Sequence, residues 1–286
     1  MEHRTIGSRT VSAIGLGGMP MSVQGRPDRE RALATVHAAL NAGVTLIDTA
    51  DAYSLDASDF GHNEELVAEA LRHWGGDRED VLVATKGGHV RTADGGWALD
   101  GRPEHLRAAC EASLRRLGVD TIDLYQLHRP DPAVPVEESV GALAELLDEG
   151  KISMAGVSNF DVDQIRLAQR VLGGRLASVQ NEYSPRFRSS RPELELCAEL
   201  GVAFLPWSPL GGIGKAAELG QAHQAFAEVA AEHHVSPQQV ALAWELAAAD
   251  VVIPIPGASR PASAVASAAA TELALTPEQR ARLDAA

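Results

Sequence analysis

Short apolar runs of strand length alternate along the chain with stretches whose apolar positions recur at helical spacing. The opening residues differ from this beat: short β-like runs around Arg4–Ile6 and Thr10–Ser12, joined by Gly7-Ser8, predict a hairpin. AIGLGG then predicts a strand, and Asp28 to Ala42 a helix with an Asp N-cap and Gly43 at its end. VTLID, VLVAT, TIDLYQLH, ISMAGVS, SVQ, VAFLPW and VVIPIPG continue the strands. Between them, helices are predicted from Asn63 to Trp74, Pro103 to Leu117, Val136 to Glu149, Asp161 to Leu172 and Arg191 to Leu200. Further helices are predicted over Gln221–His234 and Pro237–Ala248 and after Pro261 and Pro277, and a long glycine-rich loop runs up to Gly101.

The strands read as near-continuous apolar runs, the pattern of parallel strands covered on both faces. Right-handed crossovers then leave a closed barrel or an open doubly wound sheet. Eight strand–helix units, with no linker or low-complexity run between them, fit an α/β fold of the (β/α)8 TIM-barrel type with an N-terminal β-hairpin, one domain over residues 1–286. In such a barrel the functional residues belong at the C-terminal ends of the strands.

Four residues stand there. Asp48 and Tyr53 follow VTLI, Lys86 ends VLVATK and His128 ends IDLYQLH. Singly, each has a structural reading: an N-cap or Asx turn for Asp48, a rim aromatic, a solvated strand end, a core imidazole. Together at one rim they form a proton-transfer centre. A phenol with its usual pKa near 10 is a sluggish acid at neutral pH. A neighbouring ammonium, held by a carboxylate, is expected to lower it. His128 is suited to hydrogen-bonding a substrate oxygen or assisting a proton relay.

Composition narrows the partners. The chain is 45% hydrophobic and 22% charged, enough for a large core, and no apolar run approaches the roughly 20 residues of a membrane span. MEHRTIGSRT lacks the apolar core of a secretory signal, and Cys110 and Cys197 read as buried reduced thiols, so a cytoplasmic protein is expected. The net charge of −14 disfavours nucleic acid and anionic membranes as partners. GLGG at Gly15–Gly18 lacks the spacing of a dinucleotide fingerprint, and GGIGKA at Gly211–Ala216 lacks that of a P-loop.

DTADAY, VATKGG, YQLH, GVSNF, VQNEYS and WSPLGG, in this order, resemble the aldo-keto reductase superfamily over essentially the full chain. The resemblance implies NADPH-dependent reduction of an aldehyde or ketone on a (β/α)8 barrel, with no metal. It implies Tyr53 as the acid, Asp48 and Lys86 as its modulators, and His128 as the residue orienting the carbonyl. For the cofactor it implies Ser158, Asn159 and Gln180 on the carboxamide and Trp207 on the nicotinamide ring. Ser208, Leu210 and Gly211 open the loop over the pyrophosphate, Gly18 and Met19 lie at the end of the first strand, and Gly257, Ser259 and Arg260 lie in the segment that grips the 2′-phosphate.

The chain departs from the family pattern where Gly257 replaces a common lysine, and where Ser263 and Ser267 match an arginine and an asparagine. NADPH with lower use of NADH is the expectation. The VQNEYS and PWSPLGG layout with a short tail is similar to bacterial pyridoxal reductase-like members, which makes pyridoxal one candidate among many small-molecule carbonyl substrates. Met19, Met21, His89 to Trp97 and Arg129 to Pro135 are the candidate pocket walls. Two other classes are open: an NADPH-binding regulatory barrel with little turnover, and a metal-dependent hydrolase using Asp48, Asp51 and His128.

Overall fold

A computed structural model describes residues 1–286. The chain opens with the antiparallel hairpin β1 (His3–Ile6) and β2 (Arg9–Ser12). The alternating elements follow: β3 (Leu16–Gly17), α1 (Arg29–Asn41), β4 (Leu46–Asp48), α2 (His62–His73) and β5 (Leu82–Gly87). A second hairpin, β6 (His89–Arg91) and β7 (Trp97–Leu99), precedes α3 (Pro103–Leu117). The beat resumes with β8 (Ile122–Leu127), α4 (Val136–Asp148), β9 (Ile152–Ser158), α5 (Val162–Val171), β10 (Leu176–Gln180), α6 (Arg191–Leu200) and β11 (Ala203–Phe204). Helices α7 (Leu219–Ala222), α8 (Gln224–His233), α9 (Pro237–Leu246), α10 (Pro261–Ala269) and α11 (Pro277–Asp284) complete the chain.

Strands β3, β4, β5, β8, β9, β10 and β11 pair in that order, every pair parallel. Residues 252–257 close the ring, bridging Phe204 to Val252 on one side and Gly17 to Gly257 on the other. The expected strand VVIPIPG is in place but forms a broken ladder, because Pro254 and Pro256 have no N–H to donate. Their carbonyls still accept from Gly15 and Gly17, while Ile253 and Ile255 donate to Phe204 and Pro206. The fold is the (β/α)8 barrel with its N-terminal hairpin.

Side-chain parity explains how the barrel makes a site. Successive strand residues face opposite sides. Leu46, Leu82 and Leu124 pack in one inner cluster with Ile6 and Val11 of the first hairpin, which plugs that end. Ile47, Val83, Tyr125, Val157 and Val179 belong to the outer clusters against the helices. Counting on by two along the inner face from those leucines reaches Asp48, Lys86 and His128. Each strand therefore begins apolar and ends polar on the same face.

Two expected boundaries change. Residues 88–101 are not a plain loop, since β6 and β7 fold back over the barrel mouth, with Asp100 N–H donating to Gly88 O at 3.0 Å at the hairpin base. Gly88 takes φ +99° there, a region open to glycine, so the chain can turn sharply out of β5. The helix expected over Gln221–His234 is interrupted at His223, whose φ of −133° and ψ of 84° are not helical. No helix is long and apolar enough to cross a membrane.

Candidate active site

Register brings the four strand-end residues together. Asp48 ends β4, Lys86 lies in β5 and His128 follows β8, with its N–H on Gly87 O at 2.9 Å. After β4, Asp51 N–H reaches Lys86 O and Tyr53 N–H turns back to Ala50 O, which folds the tyrosine over the lysine. Lys86 is 0% exposed. Its three ammonium hydrogens have three acceptors: Asp48 Oδ2 at 2.6 Å, Thr49 O at 2.9 Å and Tyr53 Oη at 3.0 Å. The other Asp48 oxygen accepts from Gln180 Nε2 at 2.8 Å and from Gln126 Nε2 at 3.5 Å. Ser178 Oγ in turn donates to Gln126 Oε1 at 3.1 Å. The His128 ring meets the Tyr53 ring edge-on, with centroids 5.6 Å apart.

The charges settle which group can hold a proton. Burial works against the Lys86 ammonium, but Asp48 and Tyr53 outweigh it and raise its pKa, so the lysine stays charged. Burial likewise dominates at Tyr53 and raises the phenol above its ordinary 10.0, with Lys86 pulling the other way. The expectation of a lowered phenol is thus corrected for the free protein: desolvation exceeds the pull of the ammonium. Tyr53 is therefore fully protonated at neutral pH. Burial, helped by Lys86, His89 and Arg129, drives His128 well below 6.5, so its ring is neutral there. The arrangement offers a loaded phenol as acid and a neutral imidazole as a hydrogen-bonding group.

A cavity of about 310 Å³ opens onto these groups. Of the residues that the resemblance assigns to a cofactor, Met19, Ser158, Asn159, Gln180, Trp207, Ser208, Leu210 and Gly257 line it. Asn159 and Ser208 hold left-handed backbone, at φ 61° and 52°. That conformation is uncommon outside glycine and collects at functional sites. Asn159 Nδ2 donates to His128 O at 3.1 Å and to Ser158 Oγ at 2.9 Å, while Ser158 Oγ donates to Gln180 O at 2.7 Å. Trp207 Nε1 is buried without a partner.

Gly18, Gly211, Ser259 and Arg260 do not line the cavity. Gly18 supports it from behind, donating its N–H to Asp48 O at 2.8 Å while Asn63 Nδ2 donates to Gly18 O at 2.9 Å. Gly211 lies in a neighbouring shallow groove with Arg186 and Lys215. Ser259 and Arg260 lie at the start of α10, where Arg260 is the exposed N-cap. The missing lysine at 257 has a steric cause: a Cβ there would stand 2.6 Å from Pro20 Cγ, so the Met19–Met21 turn occupies that space.

Several site residues escaped the sequence reading. Gln126 and Ser178 are both fully buried and hold Asp48 in place; each lies two positions before a recognised residue, so counting by two along the strand finds them. Asp51 goes elsewhere. It is buried away from the cavity with Glu64 and Arg116 as charged neighbours, and burial, then Glu64, raise its carboxyl well above the usual range.

Comparison with known proteins identifies the family and the fold. The family model described as "Aldo/keto reductase family" matches residues 13–286. An uncharacterized oxidoreductase of Schizosaccharomyces pombe is 36% identical over 283 residues, 98% of this chain and 88% of that protein. The thermostable aldo-keto reductase Tm1743, solved with the inhibitor epalrestat, superposes with a TM-score of 0.84 at 30% identity, covering 100% of this chain and 99% of that one. An aldo/keto reductase from Klebsiella pneumoniae, solved with NADP and acetate, gives a TM-score of 0.82 at 30% identity, covering 99% and 94%. A family match over residues 13–286, with solved reductases on the same barrel, shows that this chain is an oxidoreductase and belongs to the aldo/keto reductase family.

Proposed function

We propose that the chain, as one catalytic domain, reduces small aldehydes and ketones to alcohols with NADPH, and that Tyr53 is the general acid. One observation carries this reading: the Tyr53 phenol lies 3.0 Å from the wholly buried Lys86 ammonium and lines one cavity with the His128 imidazole. The residues present fit a nicotinamide. Trp207 offers a ring with an unpartnered Nε1, and Ser158, Asn159 and Gln180 gather polar atoms around one part of the cavity wall. The Klebsiella pneumoniae relative's complex with NADP supports the same cofactor here. Trp207, Ser158, Asn159 and Gln180 would hold a reduced nicotinamide, which would supply the hydride.

The chain's own residues do the rest. His128 and Tyr53 receive the carbonyl oxygen between them, and Tyr53 gives it a proton as negative charge builds there. Lys86 favours the phenolate left behind, its charge secured by Asp48. Gln180, Gln126 and Ser178 keep Asp48 aimed at Lys86. The test is stoichiometric. NADPH oxidation must match alcohol formed, and NADPH binding without turnover of any carbonyl would sink this reading in favour of a regulatory barrel.

Preference for NADPH over NADH rests on Arg260. It is an exposed cation at the N-terminus of α10, where the helix dipole also favours an anion. With Gly257 barred from carrying a side chain by Pro20, Arg260 is the cation of this segment. Arg260→Ala is expected to raise KM for NADPH about tenfold or more, the effect of one charged hydrogen bond, and KM for NADH by less than about twofold. Equal effects on both cofactors would show that Arg260 is not on the 2′-phosphate.

A further inference from the structure

The hairpin over the barrel mouth carries a ladder of rings with no part in the proton transfer. His89 lies against His128, with centroids 4.2 Å apart, and against Trp97, with centroids 5.4 Å apart. Arg91 covers one face of Trp97 at 4.0 Å. His89, Trp97 and His128 all line the cavity, and Trp97 is 44% exposed at its mouth. If packing were its only role, a phenyl ring would serve at position 89. An imidazole instead brings two nitrogens into a half-buried place, and its Nδ1 is buried with no partner, which costs stability.

His128 shows the same pattern, with Nδ1 buried and unpartnered, so Nε2 is the nitrogen each ring can turn to a ligand. Both rings are neutral at pH 7. Burial, then Arg129, Lys86 and Arg91, bring His89 down to about 4. The cations Lys86, Arg91 and Arg129 act on the pair, which favours electron-rich oxygen as the atom they meet. Two adjacent imidazoles thus form a two-point oxygen site, with the inner ring beside the acid and the outer ring one step away. Trp97 extends that site with a flat apolar wall.

On the reductase reading above, we infer that His89 is a specificity-determining residue that binds a second substrate oxygen on the carbon next to the reacting carbonyl. The preferred substrates are flat carbonyl compounds with two vicinal oxygens, such as aryl α-diketones and aryl α-hydroxy ketones.

Phenylpropanedione and propiophenone share one skeleton and differ in the second oxygen. The ratio of their kcat/KM values with NADPH is measured for the wild type, His89→Phe and His89→Gln. Comparing ratios between variants cancels the diketone's greater intrinsic reactivity and any shared loss from misfolding. His89→Phe is expected to lower the ratio about tenfold, the effect of one hydrogen bond, and His89→Gln to restore much of it. The diketone's affinity for the NADP⁺-loaded protein, measured by calorimetry, falls in parallel in the Phe variant. An unchanged ratio in His89→Phe overturns the inference. So does a wild type that reduces simple aldehydes but not the diketone, and in both cases the reductase reading stands. A wild type that reduces no carbonyl at all overturns both.

Discussion

Tyr53→Phe is expected to lower kcat for reduction of an aromatic aldehyde by about 10²–10⁴-fold, the usual contribution of a positioned general acid. NADPH affinity, measured by fluorescence titration, should stay within about twofold, because the lost oxygen contacts Lys86 in a side chain that the cofactor reading does not use. The magnitude follows from how few alternatives the site holds. His128 is neutral at working pH and Lys86 is committed to Asp48 and to a backbone carbonyl. No second group is loaded with a proton at the cavity floor. A Phe variant that keeps a tenth or more of the wild-type kcat would show that the proton comes from elsewhere, with water as the first suspect.

Lys86→Met should be costly twice over. The ammonium is wholly buried and is the cation paired with Asp48 at 2.6 Å. Removing one member of such a pair leaves an uncompensated buried charge, a loss of about 3–5 kcal/mol. Turnover should fall by about a hundredfold or more, since the phenolate formed at Tyr53 loses its stabilising charge. Asp48→Asn supplies the check. Its amide oxygen can still accept from Gln180 and Gln126, and it removes the charge that Lys86→Met strands. The double variant is therefore expected to be more stable in urea than Lys86→Met alone, with kcat no better. If the two stability losses simply add, the pair is not coupled and the account of Lys86 is wrong.

The gathering of Asp48, Lys86 and His128 at one rim was legible because it depends on chain order. Asp48, Lys86 and His128 follow apolar strands at even spacing, and a parallel barrel brings such positions to one rim. The Tyr53 pKa was not legible, since its sign depends on how deeply the phenol is buried, and that is a tertiary quantity. The β6–β7 hairpin was hidden for a similar reason. Its strands have three residues each, too few for a periodic signal, and Gly95-Gly96 in the turn reads as loop. Gly257 was visible only as a missing lysine. Pro20, more than two hundred positions away in the chain, explains it. The two-point site of His89 and His128 likewise needs the hairpin folded over the mouth before the rings meet.

On the proposed reading, the reacting carbon receives its hydrogen from the nicotinamide and its oxygen receives a proton from Tyr53. The protein is incubated in ordinary water with NADPH dideuterated at C4 of the nicotinamide and an aromatic aldehyde, and the alcohol is analysed by NMR. The account predicts a single deuterium on the carbinol carbon for each NADPH oxidised, in the wild type, and almost no alcohol from Tyr53→Phe. Alcohol without deuterium at that carbon, or NADPH bound and never oxidised, would contradict it.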